Sequence, residues 1–296
     1  MTPAAEQTRA RRPDAEGDLD RGGVAVHWER YGDGEPAILF LPTWSIIHSR
    51  CWKAQIPYFA RRHRVLVFDP RGNGRSGRPV ESAAYAESAF ADDAVAVLDA
   101  TGTDRAAVVG LSLGAQRGLI LATEHPGRVL GLVLLGPALG LATFPPERVE
   151  AFTRFHEARS DTGPWHPYNA AYWRRDLAGF LEFFFSQAFS EPHSTKQIED
   201  CVGWGMECGA ECLIASEDGP ELAECTAEVV AALTRPLVVI HGDEDAIVPH
   251  AVGAELARLT GGSLVTVAGG GHCLQAREPV LVNRLIRDFL ASLEAA

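Results

Sequence analysis

Short apolar runs recur along the chain, and each is followed by a stretch with helical periodicity. Val24 to Tyr31 alternates as a half-buried strand does, and Gly32-Asp33-Gly34 reads as a turn. Ala37–Leu41, Arg64–Phe68, Ala106–Val109, Val129–Leu135, Pro236–Ile240 and Leu264–Val267 read as buried strands. Between them, helices are predicted over Trp52–Arg61, Glu87–Ala100, from beyond Ser112 to about Glu124, His250–Leu259 and Leu274–Leu293. In the second of these Phe90, Ala94, Val97 and Leu98 share one face. Wholly apolar strands alternating with helices predict an α/β fold: a mostly parallel central sheet covered by helices on both faces.

The pattern changes between residues 141 and 234. Helical periodicity dominates and no strand is convincing. Aromatics gather there: Phe144, Phe152, Phe155, Trp165, Tyr168, Tyr172, Trp173, Phe180, Phe183, Phe184, Phe185 and Phe189. About 90 residues are too many for a loop, so this is expected to be an inserted helical cap. Most of its aromatics should form its own core, and a minority should line a pocket over the sheet. The expected organisation is a mobile tail over 1–22, a core over 23–140 and 235–296, and a cap over 141–234. The tail expectation rests on its Arg, Asp, Glu, Gly and Ala content.

Composition narrows the function. The 296 residues fit one α/β domain with an insertion, and 46% hydrophobic content supplies an ordinary core. A net charge of −12 argues against nucleic acid or an anionic membrane as partner. No apolar run reaches the ~18 residues needed to span a bilayer, and residues 1–23 lack the apolar stretch of an export signal. Cys51, Cys201, Cys208, Cys212, Cys225 and Cys273 are therefore expected as reduced thiols in a cytoplasmic chain. Cys208 and Cys212 could share a helix face near Cys201, but no Cys-x-x-Cys pair or matching His cluster makes a metal site of them. No nucleotide or flavin motif is present, so no cofactor is expected. The expected partner is a small-molecule substrate, with a homodimer left open.

Candidate chemistry centres on Gly110-Leu111-Ser112-Leu113-Gly114. A strand, Gly-x-Ser-x-Gly and a helix follow one another, as a nucleophile elbow requires. So tight a turn leaves no room for Cβ atoms two residues either side of the serine. The helix beyond it points N–H groups where negative charge would develop in acyl transfer. A serine hydroxyl needs a base and a carboxylate that orients the base. His272 follows a strand on a Gly-rich loop, and Asp245 follows another before Pro249. Both belong at the C-terminal edge of the sheet, where ligands of such sheets bind.

With these motifs the chain resembles the α/β-hydrolase fold family, in the Ser-Asp-His branch with a helical cap that includes esterases and enol-lactonases. The resemblance covers about residues 24–294. It rests on Gly110–Gly114, on Gly242-Asp243-Glu244-Asp245-Ala246-Ile247-Val248-Pro249, on Gly271-His272, and on Asp69-Pro70-Arg71-Gly72-Asn73-Gly74-Arg75-Ser76. It implies Ser112 as nucleophile, His272 as base and Asp245 as orienting acid; the family's spacing to Val248-Pro249 selects Asp245 over Asp243 and Glu244. His241 sits at a strand end. The Asp69–Ser76 stretch is expected to be a structural turn. The resemblance also implies an oxyanion hole from the N–H groups of Trp44 and Leu113. Here the chain departs from the family, with Pro42-Thr43 where His-Gly is usual, which stiffens the loop and removes a donor. Pocket candidates are Trp44, His48, Trp165, His166, Tyr168, Trp173 and Phe184. The implied activity is hydrolysis of a small, moderately apolar ester, thioester or lactone through an acyl-enzyme. C–C bond hydrolysis, acyl transfer or a cofactor-free oxidative reaction on the same residues are alternatives, as is a non-catalytic small-ligand binding protein.

Overall fold

The computed structural model describes residues 11–157, 162–220 and 227–294. Cys225, the first ten residues of the expected tail and parts of the expected cap lie outside them.

The first strand, β1 (Ala15–Asp20), corrects the reading of a mobile tail for the described part of 1–22. It pairs antiparallel with β2 (Ala25–Tyr31), and its residues alternate between half-buried and exposed. Its strand character comes from that pairing at a sheet edge, where few apolar side chains are needed. β3 (Ile38–Phe40) follows. The expected helix over Trp52–Arg61 is instead a 3-10 turn at Ser49–Trp52 and a short helix α1 (Ile56–Phe59), with Pro57 in its first turn. Then come β4 (Val65–Phe68), α2 (Glu87–Ala100), β5 (Ala106–Leu111), α3 (Leu113–Glu124) and β6 (Val129–Leu135).

Helices alone occupy the described part of the next hundred residues: α4 (Pro146–Thr153), α5 (Ala170–Arg175), α6 (Leu177–Ala188), α7 (Thr195–Cys208), α8 (Ala210–Glu217) and α9 (Ala227–Ala231). The last of these packs on α10 of the core. After β7 (Leu237–Gly242), α10 (His250–Thr260) and β8 (Ser263–Val267), the closing helix is broken into α11 (Leu274–Arg277) and α12 (Pro279–Glu294). Pro279 cannot donate to the preceding turn, so the single helix expected over Leu274–Leu293 divides there.

The strands form one sheet in the order β1-β2-β4-β3-β5-β6-β7-β8. β1 and β2 are antiparallel to their neighbours and the remaining pairs are parallel. β3, β4, β5 and β7 are buried along their whole length, as strands covered on both faces must be. The parallel strands end at one edge, and the inserted helices lie over it. Trp44, in the loop after β3, packs there against Phe184 (5.5 Å between ring centroids), Trp173 (5.8 Å) and Tyr168 (6.3 Å). Trp173 stacks on Phe180 at 4.3 Å. These rings join the insert to the core.

Candidate active site

Ser112 stands between β5 and α3 with φ 55° and ψ −120°. A non-glycine residue there costs on the order of 1–3 kcal/mol and persists only where its surroundings hold it. Here its N–H donates to the Leu135 carbonyl at 2.9 Å, and its carbonyl accepts from Ala115 at 3.0 Å and Ala138 at 3.2 Å. The flanking glycines are required by close approach: a Cβ on Gly110 would lie 2.3 Å from the Gly114 carbonyl oxygen, and one on Gly114 would lie 2.8 Å from that of Pro42. Ser112 is half-buried and faces a cavity of about 680 Å³ between the sheet edge and the inserted helices.

Asp245 sits on the turn after β7 with its side chain fully buried. Its Oδ1 accepts from the N–H groups of Ile247 (2.8 Å) and Val248 (2.9 Å). Its Oδ2 accepts from His272 Nδ1 at 2.7 Å and from His241 Nε2 at 3.1 Å. Burial acts to raise its pKa, but the charge of His272 and the hydrogen bonds from His241, His272 and Val248 outweigh burial. The carboxyl is held well below its usual range. A carboxylate facing Nδ1 fixes the proton there, which leaves His272 Nε2 as the basic atom. His272 is placed partly by the insert: its N–H donates to the Ala188 carbonyl at 3.0 Å, and the N–H of Gly271 donates to Glu191 at 2.8 Å. Neither Ser112 Oγ nor His272 Nε2 makes a hydrogen bond among the described residues. Such contacts often tighten only with substrate bound. Asp243 is exposed and accepts from Gly269.

The N–H groups of Trp44 and Leu113 also donate to no described residue. The loop bearing Trp44 is held by Arg117, one turn into α3. Its Nη1 donates to the carbonyls of Pro42 (3.1 Å) and Thr43 (2.5 Å), and its Nε and Nη2 fork onto Glu87 at 2.6 and 2.8 Å. The guanidinium lies 3.5 Å from the Phe90 ring centroid. The carbonyls of Pro42 and Thr43 are thus satisfied from the helix that follows Ser112.

Of the seven pocket candidates, Trp44, Tyr168 and Phe184 line the cavity. Four do not. His48 is buried behind the loop, caps the 3-10 turn and packs on Trp204. Trp165 lies behind Arg148, 4.2 Å from its guanidinium. His166 bonds the Gly163 carbonyl and packs on Tyr172. Trp173 is wholly buried among Phe155, Phe180 and Trp44. In their place stand Tyr85, Gln116, Phe144, Arg148 and Phe152, among others. The Asp69–Ser76 stretch is a turn knotted by its own carboxylate: Asp69 accepts from Ser49 Oγ (2.6 Å) and Arg75 N–H (2.8 Å). No described helix is long and apolar enough to cross a membrane.

A family model described as alpha/beta hydrolase fold matches residues 36–279. The chain is 28% identical over 92% of its length, and 98% of the other's, to a provisionally named carbamate hydrolase RutD of Variovorax paradoxus (strain S110). It is 30% identical to the 2-hydroxymuconate semialdehyde hydrolase of Pseudomonas sp. (strain CF600), over 83% of this chain and 82% of that one. Among solved structures, Est816, described as an N-acyl homoserine lactone degrading enzyme, is similar with a TM-score of 0.73 and 26% identity, over 92% of this chain and all of the other.

Proposed function

The chain belongs to the alpha/beta hydrolase fold family and is a hydrolase of that type, and on that premise we propose that it cleaves a small ester, thioester or lactone through an acyl-enzyme on Ser112. The observation that carries this reading is the strained Ser112 turn, opening on a cavity of small-molecule size at the same sheet edge as the His272–Asp245 pair. Ser112 Oγ attacks the carbonyl carbon while His272 Nε2 takes its proton. Asp245 holds the imidazole and stabilises the imidazolium that forms. The N–H groups of Trp44 and Leu113 receive the oxyanion. His272 gives its proton to the leaving oxygen or sulfur, then takes one from water as that water attacks the acyl-enzyme. As the acid leaves, His272 returns that proton to Ser112 Oγ, which restores the serine.

The test is intact-mass labelling with a fluorophosphonate, beside a p-nitrophenyl ester series. One adduct on the wild type, none on Ser112→Ala, and loss of turnover in that variant are expected. A folded wild type that takes no adduct and turns over no ester would refute the reading. A second reading keeps the same residues but places the cleaved bond in a substrate such as 2-hydroxymuconate semialdehyde, the compound in one relative's name. Product analysis with that compound separates the two.

A further inference from the structure

Four arginines are more than nine-tenths buried among the described residues: Arg50, Arg71, Arg117 and Arg148, at 6, 7, 2 and 5% exposure. A guanidinium withdrawn from water needs a carboxylate or a full set of acceptors in exchange. Three of them have it: Arg50 pairs with Glu29 at 3.0 Å, Arg71 with Asp93 at 2.7 Å and Arg117 with Glu87 at 2.6 Å. Arg148, on α4, has no carboxylate partner among the described residues. Its Nη1 donates to the carbonyls of Ala246 (3.2 Å) and Ile247. Its Nε is buried with no acceptor, and its Nη2 donates to no described residue. Its remaining neighbours are ring faces, Trp165 at 4.2 Å and Phe152 at 4.9 Å, which tolerate a cation but accept no conventional hydrogen bond.

Arg148 lines the same cavity as Ser112. The acids of that wall are engaged: Glu87 with Arg117, Asp218 with His156, and Glu217 with the Tyr168 hydroxyl. Asp245, close enough to act on Arg148 through its charge, is held by two histidines. Glu217 and Asp245 act on Arg148 through their charge, but no described carboxylate reaches ion-pair distance of it, and its Nη2 is left without a described acceptor beside the cavity. A guanidinium N–H left open in this way is matched by a carboxylate oxygen.

We infer that Arg148 receives a carboxylate of the substrate, so that the ester or lactone opened at Ser112 is one that carries a free acid group. This inference rests on the acyl-enzyme reading of the site. A neutral substrate leaves the Arg148 Nη2 without an acceptor, whereas an acid-bearing one supplies the ion-pair partner that the wall does not. The reacting carbonyl is thereby held from its far end.

The test compares monoethyl with diethyl esters of glutaric, adipic and pimelic acids, with kcat/KM followed by pH-stat for the wild type, Arg148→Gln and Arg148→Lys. The expected result is a preference of tenfold or more for the monoanion at one chain length at least. That ratio should fall toward one in Arg148→Gln and be partly kept in Arg148→Lys. A wild type that prefers the neutral diester at every length overturns the inference. So does an Arg148→Gln variant in which both substrates lose equally, the signature of an arginine that only clamps the Asp245 loop. A binding arm uses Ser112→Ala: adipate should quench tryptophan fluorescence where adipamide does not, at least tenfold more weakly after Arg148→Gln is added. Equal binding of diacid and diamide overturns the inference even where Arg148→Gln fails to fold. Failure of the acyl-enzyme reading looks different, with no fluorophosphonate adduct and no ester turnover while Arg148-dependent binding of the diacid persists.

Discussion

Replacing Arg117 by Met separates what holds the Trp44 loop from what the loop does. Met keeps much of the packing volume against Phe90 but donates nothing. It strands the Glu87 carboxylate, whose side chain is 12% exposed, and the carbonyls of Pro42 and Thr43. Removing one end of a buried ion pair costs about 3–5 kcal/mol. Glu87 borders the cavity and can take up water or a proton, so the lower end, about 3 kcal/mol, is expected. Loss of one oxyanion donor costs about 10²–10³ in kcat. The Trp44 N–H would be loosened rather than deleted, so a fall of about 10² is expected, chiefly in kcat. Glu87→Gln leaves Arg117 on both carbonyls, and its kcat should fall by about tenfold at most. The measurements are urea denaturation followed by tryptophan fluorescence, and steady-state hydrolysis of p-nitrophenyl esters. An Arg117→Met protein that loses the stability yet keeps its kcat would refute the reasoning, because the loop would then need no clamp or Trp44 no role.

Two further outcomes follow from the His272–Asp245 pair. Gly136 has φ +46°, and a Cβ there would lie 3.0 Å from His272 Nδ1 and 3.2 Å from Asp245 Oδ2. Gly136→Ala should cost about 1–2 kcal/mol of stability and lower kcat by about tenfold through misplacement of the imidazole; an unchanged kcat in the folded variant would show that this alignment is not needed. The Asp245 carboxyl is held below 3.8, its ordinary value, so it contributes stability above that pH and loses it as the pH falls through the lower folded value. Stability measured from pH 5 to 2 should therefore decline less steeply in Asp245→Asn, by up to ~1.4 kcal/mol per pH unit. Parallel curves would contradict the shift.

Most of the sheet was legible because its strands carry their burial in their own composition. Val65–Phe68 and Ala106–Leu111 are apolar throughout, and only a strand covered on both faces needs that. β1 offered no such signal. Ala15-Glu16-Gly17-Asp18-Leu19-Asp20 has one large apolar side chain, and its pairing depends on a partner that the local sequence does not name. Gly17 even looks like a breaker, yet a Cβ there would lie 2.9 Å from the Trp28 ring; the glycine makes room for that indole across the pair. The helix expected over Leu274–Leu293 failed for the opposite reason, a local rule outweighed by a long apolar periodicity, with Pro279 setting the break.

The same division runs through the site. Ser112, Asp245 and His272 could be picked out because short-range sequence dictates their geometry: two glycines that allow a tight turn, an aspartate that accepts its own turn's N–H groups, and a histidine on a glycine loop. Arginines carry no such local mark. Arg117 and Arg148 look alike in sequence, and each donates to loop carbonyls, Arg117 to those of Pro42 and Thr43 and Arg148 to those of Ala246 and Ile247. What separates them is a carboxylate: Glu87, thirty residues from Arg117, meets it, while the segment that meets Arg148, 98 residues away, brings only carbonyl oxygens. His241 was passed over on the same ground. Its place at a strand end gives no sign that the next turn returns Asp245 Oδ2 to within 3.1 Å of its Nε2. That carboxylate thus holds two histidines, and His241 opposes any swing of Asp245 away from His272. The placement of His272 is therefore set from the β7 side as well as from the insert, where the Ala188 carbonyl accepts from the His272 N–H. A substrate acid drawn to Arg148 would bear on the same turn, because Arg148 grips it at Ala246 and Ile247, the two residues after Asp245.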